Sequence, residues 1–145
     1  MRRPRKLQSK HQAQEICDLL SAEFGVEPPR VVWRGGSRNG RYVPYGRQVI
    51  LGPCAWRGVD CVLHEYAHHL AYVTFGYTGS TDARGEIVRN VNGRLSRGHG
   101  PLYHRALTLV ALAWYGDETK YAWDTEYRAI AAAGPHRGGD TNAAV

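Results

Sequence analysis

The period of the apolar positions changes several times along this chain, and each change marks an element. Between residues 7 and 24, Ile16, Leu19, Leu20 and Phe24 recur at the spacing of one helical face, and Gly25 with Pro28-Pro29 ends that helix. Three short strand-like runs follow, at 30–34, 41–43 and 48–51, stopped in turn by the Gly-rich segment 35–40, by Pro44 and by Gly52-Pro53. Tight spacing predicts a small, mostly antiparallel three-stranded sheet. A second helix is predicted over 58–75, with Val59, Val62, Leu63, Tyr66, Ala67 and Leu70 as its apolar stripe. Residues 76–98 turn polar and Gly-rich, as lids and binding loops do, with a helical piece around 82–91. A third helix is expected to start at Gly100-Pro101 and run to Tyr115 on Leu102, Ala106, Leu109, Val110 and Ala113. A fourth is expected over 118–133. The fold class expected is therefore α+β.

The 145 residues suit one domain. The predicted division is a basic N-terminal segment at 1–6, a single domain at 7–133 and a Gly-rich tail at 134–145. Cys17, Cys54 and Cys61 are too few and too widely spaced for a disulfide framework, which fits a reducing compartment. The basic N-terminus lacks the apolar core of a signal peptide. The longest apolar stretch, near 107–115, falls far short of the ~20 residues of a membrane span. A soluble, cytoplasmic protein without membrane contact is expected. The formal net charge is +6, and Arg2, Arg3, Arg5, Lys6 and Lys10 crowd the first ten positions. Such a run is either a solvated terminus or an arm making weak nucleic-acid contact, and it carries no aromatic on which a base would stack.

The chemistry concentrates in His64-Glu65-Tyr66-Ala67-His68. Two histidines four apart on a helix stand about 6 Å apart along its axis. Both can reach one ion at the ~2.0–2.1 Å of a zinc–nitrogen bond. All three polar residues lie off the apolar stripe, so one helix face is expected in the core and the other on a site. Zinc lowers the pKa of a water it holds toward ~7, and Glu65, beside the first ligand, is placed to act as general base. A catalytic zinc needs a third protein ligand and an open fourth position. His99, in Gly98-His99-Gly100-Pro101, is the first choice; Glu86, His104 and Asp82 are the alternatives. His69 is rotated about 100° from His68 and cannot easily share the ion. Cys61, one turn before His64, reads as a small buried residue rather than a ligand.

The order of helix, short strands, HExxH helix and His-Gly-Pro segment resembles the SprT-like (Spartan-like) zinc metallopeptidases and the minimal gluzincin-like proteases. Small actinobacterial and phage metallohydrolases share the layout. The matching residues are Gly40-Arg41-Tyr42, Val49-Ile50-Leu51, the run from Val62 to His69, and His99-Gly100-Pro101-Leu102-Tyr103. The resemblance covers roughly residues 7 to 115. It implies a zincin-like catalytic domain holding Zn2+, with His99 as third ligand and Tyr103 as a packing residue. The gap from His68 to His99 is longer than is common in the group, which keeps Glu86 in competition. No C-terminal zinc-ribbon cysteines are present, so a bare catalytic domain is expected.

The function expected is zinc-dependent hydrolysis of peptide bonds in a peptide or protein substrate, paired by strand addition to the run 49–51. Tyr66, Tyr72, Tyr103 and His104 are the candidates for a second oxyanion donor, Tyr72 foremost because it shares the face of the two histidines. The alternatives are a non-catalytic, metal-stabilised interaction module with a closed four-ligand site, or a nucleic-acid-associated protein using its basic N-terminus.

Overall fold

The computed structural model describes residues 7–35, 40–53, 58–76 and 101–121. Helix α1 (Lys10–Phe24) is followed by strands β1 (Arg30–Trp33), β2 (Arg41–Val43) and β3 (Gln48–Leu51). Helices α2 (Val59–Phe75) and α3 (Pro101–Tyr115) come next, and a single 3-10 turn (Glu118–Lys120) ends the described chain. The α+β class and all three strands agree with the sequence pattern. No helix among the described residues is long and apolar enough to cross a membrane.

Local signals fix the helix ends. Ser9 Oγ accepts from the Gln12 N–H at 3.1 Å, while Gln12 Oε1 accepts from the Gln8 N–H at 2.7 Å, so two donors at the start of α1 are satisfied by side chains. Gly25 and Gly76 close α1 and α2 in the left-handed region, both at φ 67°. The helix expected over 118–133 does not begin as one: Glu118–Lys120 is a 3-10 turn capped by Asp117, and Tyr121 is extended and buried. Its remainder, the helical piece expected at 82–91, the arm at 1–6 and the tail at 134–145 lie outside the described residues.

The sheet is mixed rather than mostly antiparallel. Its strand order is β1-β3-β2, with β3 parallel to β1 and antiparallel to β2. After β1 the chain crosses to the far edge, forms β2, and returns through the turn closed by Arg47 N–H donating to the Pro44 carbonyl. Only the second connection is a hairpin, so only that pair is antiparallel. Central β3 is therefore paired on both sides.

The outer edge of β1 is occupied too. The Gln14 side chain accepts from the Val31 N–H at 2.8 Å and donates to the Pro29 carbonyl at 2.9 Å, supplying from α1 two of the bonds a fourth strand would make. Ladder parity settles β2. Arg30 and Arg34 N–H groups donate to the Arg47 and Leu51 carbonyls, so odd positions of β3 serve β1 and even positions serve β2. Arg41 and Val43, paired with Ile50 and Gln48, then carry the β2 ladder. The Tyr42 N–H and carbonyl point outward from the sheet, on its one edge without a strand or side chain paired to it among the described residues.

Both α1 and α2 pack on one face of the sheet, where Val31, Val49 and Leu51 are fully buried. From α1 the core takes Ala13, Ile16, Cys17 and Leu20, whereas Leu19, expected on that stripe, is half exposed. From α3 it takes Tyr103, Ala106, Leu107, Val110 and Ala111. The buried stripe of α3 thus runs beside the one expected, and Ala113 is exposed.

Candidate metal centre

Helix α2 starts without a side-chain cap, at Gly58, but carries Asp60 in its first turn, where a carboxylate suits the helix dipole. Tyr115 of α3 donates to Asp60 Oδ1 and ties the two helices together. The helix is not half exposed as its apolar stripe suggests. Every residue from Val59 to Ala71 except His68 is buried, because α1, the sheet and α3 enclose it. Its polar residues therefore sit at buried junctions between elements, and each junction selects a different side of the helix.

His64, Glu65 and His68 form one group, in which one ligand atom from each lies within 4.8 Å of the others. His64 and Glu65 are buried, at 6% and 5% exposure, and His68 is partly open. Two nitrogens on a common zinc are at most about 4.2 Å apart, so the crowding is of the right order for a shared ion. Two imidazoles and a carboxylate form an electron-rich set that a divalent cation suits, and these donors fit zinc.

Tyr103 of α3 backs the two histidines. Its ring lies 4.2 Å from that of His68 at 33° and 5.5 Å from that of His64, and its hydroxyl donates to the His64 carbonyl at 3.1 Å. The residue is fully buried. It packs, and it also fixes the backbone and both rings from one side; the sequence showed only an aromatic after His-Gly-Pro.

Glu65 is held from the opposite side by Gly40, at the start of β2. A Cβ at Gly40 would stand 2.8 Å from Glu65 Cγ, 2.9 Å from its Oε2 and 2.7 Å from Cys61 Sγ, so only glycine allows this approach. Cys61 is buried and outside the metal group; burial, and next the charge of Glu65, push its thiol up to about 12.

His69 belongs to a third junction. Its Nε2 donates to the Glu27 carbonyl at 2.7 Å, which leaves Nδ1 to accept from the Tyr42 hydroxyl at 2.8 Å. Burial lowers its pKa, in keeping with this neutral form. The neighbouring histidine therefore locks β2 and the α1–β1 connection to α2 and takes no part in the candidate metal group.

Among the other predicted residues, His104 is described but does not join the metal group. His99, Glu86 and Asp82, like Cys54, lie outside the described residues. Of the oxyanion candidates, Tyr66 shares a 2.9 Å hydrogen bond with Ser21 in the core and Tyr103 is bonded to the His64 carbonyl. Tyr72 is half-buried beside Tyr42, their ring centroids 6.4 Å apart. The expected docking of a peptide on 49–51 is ruled out by the central place of β3.

No family model, curated protein or solved structure matches this chain.

Proposed function

We propose that this chain is a zinc-dependent metallohydrolase acting on peptide bonds. The observation that carries the reading is the His64, Glu65 and His68 group, with its ligand atoms within 4.8 Å of one another and Glu65 pressed against the start of β2, whose outer edge has no strand paired to it among the described residues. His64 and His68 would hold the ion, with His99 as third protein ligand and Glu86 as its competitor. Zinc in such a site supplies a Lewis acid and an activated water.

The chain's own residues do the rest. Tyr103 keeps the two imidazoles in place. Gly40 and Cys61 confine the Glu65 carboxylate, which takes the proton of the attacking water and returns it to the leaving amine. An extended peptide binds along β2 by strand addition, where the Tyr42 N–H and carbonyl face away from β3 and have no partner among the described residues, and passes Glu65 at the level of Gly40. Tyr72, whose ring centroid lies 6.4 Å from that of Tyr42 on β2, is the proposed oxyanion donor beside this path.

Metal analysis of the purified chain beside His64→Ala, His99→Ala and Glu86→Ala tests the site. About one zinc per wild-type chain is expected, lost in His64→Ala and in His99→Ala. Retention in His99→Ala with loss in Glu86→Ala would move the third ligand to Glu86. Glu65→Gln should keep its zinc and abolish cleavage of unfolded substrates; cleavage at the wild-type rate would remove the general-base role. A chain that takes up no zinc even on reloading would refute the reading.

A further inference from the structure

The face of the sheet opposite the helices carries charge of one sign. Register places Val31 and Tyr42 on either side of Val49, toward the helices. Arg30, Gln48 and Val43, and then Val32, Ile50 and Arg41, form the rows on the other face. Arg34 continues the outer positions of β1. Arg30, Arg34 and Arg41 are exposed, and no strand contains an acidic residue. The ion pair found among the described residues, His11 with Glu15 at 4.0 Å, lies elsewhere.

The three arginines are not equivalent for a peptide on β2. Arg30 and Arg34 belong to the opposite edge strand, two strand spacings or about 9.6 Å from β2, which is about a Debye length at physiological salt. Arg41 is on β2 itself, one residue after Gly40, whose Cα backs on Glu65. A strand added to β2 places one side chain beside Arg41 on the solvent face, at the cross-strand distance of about 5 Å. That position is close to the bond exposed to Glu65. A basic side chain there meets Arg41 directly, and an acidic one pairs with it.

We infer that the site selects extended peptide segments carrying an acidic side chain beside the scissile bond, and that Arg41 reads it. This rests on the proposed peptidase function and on docking along β2. The test uses the full-length, zinc-loaded Glu65→Gln chain. Its probes are fluorescein-labelled peptides of one Thr/Val/Ala-rich sequence with Glu, Gln or Lys placed at each position in turn. Anisotropy should rank Glu over Gln over Lys at one position, with about a tenfold span in Kd. Adding Arg41→Glu should reverse the order, Arg41→Gln should flatten it, and Arg30→Glu should leave it unchanged. Equal binding of the three peptides at every position, or a ranking indifferent to both Arg41 variants, would overturn the inference.

Cleavage of the same peptides by the chain with Glu65 intact separates the two claims. Cleavage without charge ranking refutes the role of Arg41 and leaves the peptidase. Charge-ranked binding without cleavage refutes the peptidase and leaves the docking edge. Neither binding nor cleavage refutes both.

Discussion

Gly40→Ala is the most informative single change, because the fold and the chemistry both pass through that residue. The added methyl would lie 2.7 Å from Cys61 Sγ, 2.8 Å from Glu65 Cγ and 2.9 Å from Glu65 Oε2. Ordinary contacts between such atoms are about 3.5–4.0 Å, so roughly 1 Å must be found by movement. Helix α2 is enclosed and resists shifting, which leaves the Glu65 and Cys61 side chains to give way. Overpacking of this kind costs about 1–3 kcal/mol. In a chain of this size that lowers Tm by about 3–10 °C. Displacing Glu65 by a comparable distance should lower kcat by about a hundredfold while zinc content stays the same. Thermal melts, metal analysis and steady-state cleavage would be read on Gly40→Ala, Cys61→Ala and the double variant. Removing the thiol opens space, so the double variant should be more stable than the sum of the single effects. A melt within about 1 °C of wild type, with kcat intact, would show that β2 does not press on Glu65; a lowered Tm with unchanged kcat would show that it presses without positioning it.

Three further expectations concern the scaffold. Gln14→Leu removes the amide that satisfies the Val31 N–H and Pro29 carbonyl; each group left unpaired costs about 1–3 kcal/mol, and sedimentation should show new self-association, whereas an unchanged melt would rule out the edge contact. Burial pushes the Cys61 thiol up to about 12 and raises that of Cys17 as well. In the native protein at pH 8 neither should alkylate by peptide mapping and in urea both should, so labelling at the rate of an exposed thiol would contradict the packing. His69 is buried neutral with a lowered pKa, so the unfolded chain takes up its proton first on acidification. Its stabilisation is complete above about pH 6.5 and is lost as pH falls toward the folded-state value. In the zinc-stripped protein His69→Gln should flatten the urea stability profile below that pH, and parallel profiles would refute the assignment.

The parts of the structure visible in the sequence are those governed by short-range rules. The bounds of β2 and β3 follow from Pro44, Gly52 and Pro53, and those of α2 from its apolar stripe and Gly76. The meeting of His64, Glu65 and His68 follows from helical phase alone, as does the separation of His69 from His68. Strand order is different, because alternation along 41–43 and 48–51 is the same whichever strand ends in the middle. That ambiguity put the docking strand at 49–51, where both sides are already bonded. The amphipathic reading of α2 failed because α3 covers a side of it that the stripe leaves polar, and Tyr103 supplies the cover. Gly40 and Gln14 act through approaches between elements far apart in the chain, and no local pattern distinguishes them from a turn glycine and a helix-surface glutamine.

The Gln14 amide also bears on how copies of this chain can meet. A sheet with two open edges can add neighbours at both and grow without end. Here the Gln14 amide already bonds two outward-facing groups of the β1 edge, so among the described residues edge-to-edge contact between copies is favoured at β2, joining β2 to β2. Such a junction is a closed two-fold pair that uses both β2 edges, and further growth would have to displace the Gln14 amide from β1. The same pairing would occupy the strand on which a peptide is proposed to bind, so a pair formed this way would hold itself off from substrate.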